Sequence, residues 1–306
     1  MPEVPDEIVE LAERRARARA TKDFGEADAI RERIASAGWT VEDASGGGYT
    51  LAPAAPPEDE RLRAADVESV LEEPATVDVS IGWVCEGWPE DIDRAIASFR
   101  IHAGDHTFQF LVADVTGEPA GRWGEDVEVV RLVAGTGWAA ARNAGLLRAR
   151  GRLVFAMDGS VEAVGDVVAP LSAVLTDPSV GVCGPFGIVT ADLREFDESP
   201  GSGPCDAVEG YLMAFRREIL TQAGLFDEKF TWYRTADIDW SFRVKDAGYR
   251  CEVVEAPVIK HAHRMWFETA PGERAKWSKR NFYRFLDHWR DRWDLILSGD
   301  PSPSER

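Results

Sequence analysis

The sequence has no apolar run of the roughly 20 residues that a membrane-crossing helix needs, and no signal peptide is read at its start, which opens as a charged helix. Cysteine is scarce. Cys85, Cys183, Cys205 and Cys251 lie far apart and form no Cys-x-x-Cys pair, which excludes a disulfide framework and a thiolate zinc site. Reduced, buried thiols of a soluble cytoplasmic protein are the expectation. Positive charge is in short supply: Lys and Arg number 35 against 54 Asp and Glu, a net charge of -19. Coating nucleic acid or an anionic membrane needs the opposite balance. A glycine-rich phosphate turn is missing too. No Gly-x-Gly-x-x-Gly follows the first apolar run, Val77 to Val84, so a dehydrogenase-type dinucleotide domain is excluded.

What is present suffices for a large core: 44% of residues are hydrophobic and eleven are Trp. The first fifty residues read as a self-contained module. Ile8, Leu11 and Ala12 form the apolar stripe of a helix whose other face carries Arg14, Arg15, Arg17 and Arg19. Asp23 then stands as N-cap three residues before Glu26, the spacing of a capping box. Phe24, Ala27, Ile30, Ile34 and Ala37 follow at helical spacing, with Gly38 as the stop. Short strands are expected near Trp39 to Glu42 and Tyr49 to Leu51, around the Gly46-Gly47-Gly48 turn.

This module resembles the C-terminal tail of cysteinyl-tRNA synthetases. The likeness rests on Arg14-Arg15-Ala16-Arg17, on Lys22-Asp23-Phe24-Gly25-Glu26-Ala27-Asp28-Ala29-Ile30-Arg31 and on Gly38-Trp39-Thr40-Val41-Glu42-Asp43. It implies tRNA contact through residues 1–52 as an inheritance. A helical docking or homodimerisation module is the alternative reading.

Residues 53–76 are rich in Pro, Ala and acids and read as a linker with a short helix around Arg61 to Leu71. Beyond them the pattern alternates. Val77 to Val84, Phe108 to Ala113, Val127 to Val133 and Leu153 to Met157 read as strands; Pro89 to Phe99 and Trp138 to Arg148 read as helices. Such alternation predicts a parallel, doubly wound sheet covered on both faces. Ligands of such sheets bind beyond the carboxyl ends of the strands. Asp114 and Asp158 stand at two of those ends.

Residues 77–265 resemble family-2 glycosyltransferases of the GT-A fold. The matching pieces, in order, are Val79-Ser80-Ile81, Asp114 with Thr116, Ala141-Arg142-Asn143-Ala144-Gly145, Asp158-Gly159-Ser160, Gly224-Leu225-Phe226-Asp227-Glu228 and Ala236-Asp237-Ile238-Asp239-Trp240. The resemblance implies a Rossmann-like, mostly parallel sheet flanked by helices, behind the small α-helical hairpin module. It implies transfer from a nucleotide-diphosphate sugar to a hydroxyl acceptor, inverting and assisted by Mg2+ or Mn2+. Asp114, Arg142 and Asn143 would hold the nucleotide-sugar. Asp158 would hold the metal, with Ser160, His261 and His263 as further candidates. Asp237 would be the general base, and Asp239 reads as a helix-start carboxylate bracing the local loop.

Three places depart from that family's pattern: Ser160 and Ala236 stand where acids are usual, and Cys85-Glu86-Gly87 ends the first strand. A noncatalytic nucleotide-sugar-binding or scaffold protein, or an RNA-associated protein using the module, are the alternatives. Residues 187–205 read as a variable loop. Residues 266–306 read as an amphipathic helix and tail, with Trp277, Phe282, Phe285, Leu286 and Trp289 as its apolar face. Lys276, Lys279, Arg280, Arg284 and Arg290 decorate that helix, and the basic stretch from Lys260 to Arg292 forms a local anion-facing patch.

Overall fold

The structure is a computed structural model that describes residues 4–37, 39–43, 48–53, 61–117 and 123–299. Contacts divide these into two compact units, one built on residues 4–53 and the other on 61–117 and 123–299.

In the small unit, α1 (Asp6–Ala20) and α2 (Phe24–Ser36) form a hairpin, followed by antiparallel β1 (Trp39–Asp43) and β2 (Tyr49–Pro53). The α2 cap forms as its sequence suggests: the Glu26 N–H donates to Asp23 Oδ1 at 3.1 Å. The other half of a capping box is not made, since Glu26 accepts from Arg14 instead. Ile8, Leu11, Ile30, Ile34, Trp39 and Val41 bury their side chains together, each contributing on the order of 2 kcal/mol. Arg15 is not on the outer face. It is buried and donates to Asp43 Oδ1 at 2.8 Å, because the β-hairpin closes over that side of α1. Phe24, expected on the inner face, is 57% exposed. Gly38, Gly46 and Gly47 lie outside the described residues.

The large unit runs β3 (Val77–Cys85), α3 (Pro89–Ile101), β4 (Phe108–Asp114), β5 (Val127–Arg131), α4 (Trp138–Leu147), β6 (Gly151–Met157), β7 (Val161–Ala163), α5 (Val168–Val174) and β8 (Val180–Gly184). It continues through β9 (Gly187–Val189), β10 (Asp197–Glu198), β11 (Gly203–Cys205), β12 (Ala207–Val208), β13 (Leu212–Arg216), α6 (Ile219–Gln222) and α7 (Ala236–Asp246). It closes with β14 (Arg250–Val253), β15 (Val258–Lys260), α8 (Arg264–Glu268) and α9 (Pro271–Trp289). Eight strands form one sheet in the order β11-β14-β8-β13-β6-β3-β4-β5. The expected parallel ladder is β6-β3-β4-β5. Helices cover both faces, which is why these strands are apolar without alternation. Ile92, Ile96 and Phe99 of α3 pack with Ile81, Trp83 and Phe155 on one side. Trp138 of α4 and Trp240 of α7 pack with Leu111, Val154 and Phe215 on the other.

Four features depart from the sequence reading. Residues 61–76 are not linker: Leu62 bridges Leu132, and Val67 packs with Val130, Leu132 and Ala141. One 3-10 turn, Ala64–Asp66, stands where a helix was expected. Outside the main sheet, β15 pairs antiparallel with β7. Residues 187–205 are tied down by β9 to β11, with Leu193 buried among Phe242, Phe285 and Trp289. In α9, Asn281 rather than Trp277 is buried beside Phe285, Leu286 and Trp289. All four cysteines are buried and none is joined to another by a disulfide, and burial pushes the thiols of Cys183 and Cys251 up to about 12.

Candidate functional site

The carboxyl ends of β3, β4 and β6 lie side by side, with Cys85 opposite Asp114 in the register. Asp158 follows β6 directly. Its Oδ1 accepts from the Ser160 N–H at 2.8 Å and the Ser160 hydroxyl at 2.5 Å, a self-made turn of the Asx kind. Its Oδ2 lies 3.0 Å from His263 Nε2. Burial penalises the Asp158 charge, but His263 and Ser160 outweigh it, so the carboxyl stays below its ordinary range.

The antiparallel strand β13 completes the site. It enters the sheet beside β6 in the opposite direction, so the residues just before it arrive where β6 ends. The Tyr211 carbonyl accepts from the Asp158 N–H at 3.1 Å. One residue earlier, the Gly210 N–H donates to Asp237 Oδ2 at 2.7 Å. Asp237 stands in the first turn of α7, where its Oδ1 also accepts from the Ile238 N–H at 3.0 Å. Thr235, just before that helix, has φ of 73°. For a β-branched residue that left-handed backbone costs about 1–3 kcal/mol and must be held by its surroundings. The Asn281 amide on α9 holds it, donating to the carbonyls of Trp232 and Arg234, both at 2.8 Å.

Asp158, Asp237 and Glu209 line one cleft of about 830 Å3, together with Tyr211, Tyr233, Trp266 and Phe282. A second, narrow space of about 50 Å3 adjoins it, lined by Glu86, Trp88, Arg142, Asp158 and His263. Burial raises the carboxyl of Asp237 above its usual value. Burial, with Asp237 nearby, pushes Glu209 up to about 7, against the pull of Lys260. Burial, with Asp158 nearby, does the same to Glu86, also to about 7.

A carboxyl raised by folding binds a proton in the native state that the unfolded chain has lost. Stability therefore falls as pH rises from the unfolded value toward 7. Glu209→Gln is expected to flatten part of that decline between about pH 4.5 and 7. Urea unfolding midpoints at pH 5 and 8 measure it, and an unchanged slope would refute the assignment.

The other residues singled out in the sequence divide. Asp114 is buried, and its Oδ1 accepts from both the N–H and the hydroxyl of Thr116. Arg142 is buried under Trp138 and spends its guanidinium on two strand-end carbonyls, Gly82 at 2.6 Å and Met157 at 2.8 Å. It braces the floor of the narrow space rather than extending from a helix start. Asn143 does not reach the site. Its amide is paired in both directions with the backbone of Phe226, at 2.9 and 3.0 Å. His261 also lines the cleft, but its Nε2 is engaged 2.7 Å from Glu162, whereas His263 reaches Asp158. Asp239 is fully buried and braces α9 rather than the local loop, accepting from Trp289 Nε1 and facing His288 Nδ1, both at 2.9 Å. Among the described residues, no group of three or more His, Cys, Asp or Glu converges to hold a metal.

Residues 113–235 match the family model "Glycosyl transferase family 2". That segment is a family-2 glycosyltransferase domain. The transferase domain has the GT-A fold: the chain is similar to the crystal structure of GalNAc-T7 with UDP, GalNAc and Mn2+, with a TM-score of 0.56 at 16% identity over 73% of this chain and 49% of that one. It is also similar to the mannosyltransferase PcManGT from Pyrobaculum calidifontis in complex with GDP-Man and Mn2+, with a TM-score of 0.49 at 20% identity, covering 72% and 67%. Residues 1–49 match the model "Cysteinyl-tRNA ligase anticodon binding domain". They are similar to the cysteine–tRNA ligases of Opitutus terrae, 52% identical over 52 residues, and Chlamydia felis, 44% over 45. The match takes in 17% and 15% of this chain, and the chain spans only 11% and 10% of those ligases. No described helix is long and apolar enough to cross a membrane.

In the transferase domain, Glu209, Tyr211 and Tyr233 are the site residues that sequence reasoning missed. β13 reads as an ordinary apolar run, and nothing local says that it enters the sheet antiparallel. Glu86 was noted only as an unusual strand end.

Proposed function

We propose that the large unit transfers a sugar from a nucleotide-diphosphate sugar to a hydroxyl acceptor, with inversion and with a divalent cation. One observation carries the proposal: consecutive residues, Gly210 and Tyr211, tie Asp237 and Asp158 by backbone hydrogen bonds to the same cleft. An acid that attracts a cation and an acid with a raised proton affinity are thereby held as one unit, and such separation of roles suits displacement at a sugar carbon.

Asp237 takes the proton of the acceptor hydroxyl. Its elevated proton affinity strengthens it as a base. Asp114, fixed by Thr116, accepts from the nucleotide. Mg2+ or Mn2+ would be held by Asp158 and His263, a carboxylate oxygen and an imidazole nitrogen 3.0 Å apart. The ion would supply charge neutralisation for the leaving diphosphate. Ser160 orients Asp158 rather than adding a charge, and His261, held by Glu162, is outside the set.

Asp158→Ala is expected to abolish the metal dependence of nucleotide diphosphate binding. Calorimetry of the full chain with UDP and GDP, with and without Mn2+, reads it. Equal metal-dependent affinity in the variant would sink the assignment. The GalNAc-T7 and PcManGT structures carry UDP and GDP-Man with Mn2+, which guides the choice of probes.

A noncatalytic nucleotide-sugar-binding role is the second reading. It is favoured by Ser160 and Ala236, uncharged where the family's acids usually stand. The small unit's likeness to the ligase anticodon domain supports tRNA contact through residues 1–52, or a docking or dimerising role. The domain division proposed is a module at 1–52, a shorter linker than residues 53–76, and a transferase unit that extends through α9.

A further inference from the structure

The cleft has a charge arrangement that proton transfer and metal binding leave unused. Arg194, Arg234, Lys260 and Lys279 all line it, against the carboxylates of Asp158, Glu209 and Asp237. This is a local excess of fixed cations in a chain of net charge -19. Elsewhere arginines are tied to acids: Arg94 to Asp91, Arg100 to Asp126, Arg148 to Glu128, Arg250 to Asp177 and Arg292 to Asp246. Among the described residues, none of the four cleft cations makes an ion pair with a carboxylate.

Aromatic rings position Arg234 and Lys260 instead. The Arg234 guanidinium lies 4.9 Å from the Trp266 ring centre. Lys260 Nζ stands 4.1 Å from the Tyr211 ring and 4.7 Å from that of Phe186. A cation held over a ring keeps its N–H donors available. The Asn281 clamp on the Arg234 carbonyl also fixes where that side chain starts. Cations with free donors, alternating with flat aromatic faces, suit a ligand that is both anionic and sugar-like.

Their neighbours separate them from the donor end of the site. Arg142 and His263 lie with Glu86 and Asp158. Lys260 and Arg234 lie with Glu209, and Arg234 with Asp237, the proposed base.

We propose that the acceptor is an anionic saccharide whose carboxylate or phosphate is bound by Arg234 and Lys260, with Arg194 and Lys279 at the rim. The proposal rests on the transferase reading of this cleft.

The test is calorimetry of the full chain with three probes: a glucuronate-containing hyaluronan tetrasaccharide, its carboxyl-reduced neutral counterpart, and a 6-phosphorylated mannobiose. An anionic probe is expected to bind at least about tenfold more tightly than the neutral one, as charge-assisted hydrogen bonds require. The carboxylate and phosphate arms identify the anion. The Arg234→Gln, Lys260→Gln double variant should lose that preference. The exposed pair Arg194→Gln, Lys279→Gln should weaken it, which keeps the test valid if the first variant misfolds. Equal binding of the neutral tetrasaccharide, failure of both anionic probes, or full affinity in both double variants overturns the proposal. Titration of the wild-type chain with UDP and GDP plus Mn2+ is read separately. Its failure would remove the transferase reading and leave the saccharide selectivity measured on its own.

Discussion

Replacing Asp237 by Asn is expected to lower kcat by about 10²- to 10⁴-fold, the contribution of a positioned general base, while binding of nucleotide diphosphate with Mn2+ persists. The substitution keeps volume but not hydrogen bonding. Asp237 accepts from two backbone N–H groups, Gly210 through Oδ2 and Ile238 through Oδ1. An Asn offers one acceptor oxygen, so its NH2 must face a donor, at a stability cost of roughly 1–3 kcal/mol. The melting temperature should therefore fall by a few degrees as turnover falls by orders of magnitude. A variant that retains turnover would remove Asp237 as the base. One that loses turnover and donor binding together, with a collapsed melting transition, would make the residue a structural clamp. The pH profile supplies a further check: burial raises the Asp237 carboxyl, and a base must be deprotonated. The rate should fall on the acid side of a pKa above the ordinary carboxylate value.

Asp239→Ala is expected to have the opposite signature. Two positions along α7, this carboxylate is fully buried and receives Arg243 Nε at 3.0 Å and Trp289 Nε1 at 2.9 Å, with His288 at 2.9 Å. Removing it leaves the Trp289 indole N–H, the Arg243 guanidinium and the His288 ring without their partner under α9. Breaking a buried pair on one side costs about 3–5 kcal/mol, on the order of 10 °C in melting temperature for a domain of this size. The loss should fall on α9 first, since Asp239 ties α7 to it. Thermal melts with hydrogen exchange of residues 271–289 measure the effect. A melting temperature within error of the wild type would refute the network. The contrast follows from helix geometry: residues two apart on a helix point about 200° apart. One acid of Ala236-Asp237-Ile238-Asp239 faces the cleft and the other the core.

Much of the architecture is legible in the chain itself. Apolar runs without alternation at Val77, Phe108 and Leu153 require burial on both faces, and the helical stretches between them make the ladder parallel. Asp114 and Asp158 directly follow such runs, so local order alone puts them at the ligand-binding edge. The acid at Asp237 is marked only by the family resemblance of Ala236-Asp237-Ile238-Asp239-Trp240. Helical spacing says that Asp239 must point away from Asp237, but not that its partners are on α9.

What only the tertiary structure decided are the partners of side chains and the direction of one strand. Arg142 and Asn143 carry donor groups that would suit an anion, and both lie midway along α4. Yet the β3 and β6 carbonyls capture one of them, and the Phe226 backbone captures the other. Buried polar groups take whichever partner lies nearest in space, and these partners lie 15 to 83 residues away. His261 and His263 are distinguished only by the pairing of β15 with β7, which fixes which of the two faces Asp158. Glu209 and Tyr211 become site residues because β13 runs antiparallel between β6 and β8. A run of apolar residues codes for a strand but not for its direction. Direction depends on where the preceding chain leaves the strand's start, and here β13 lies inside the sheet between β8 and β6.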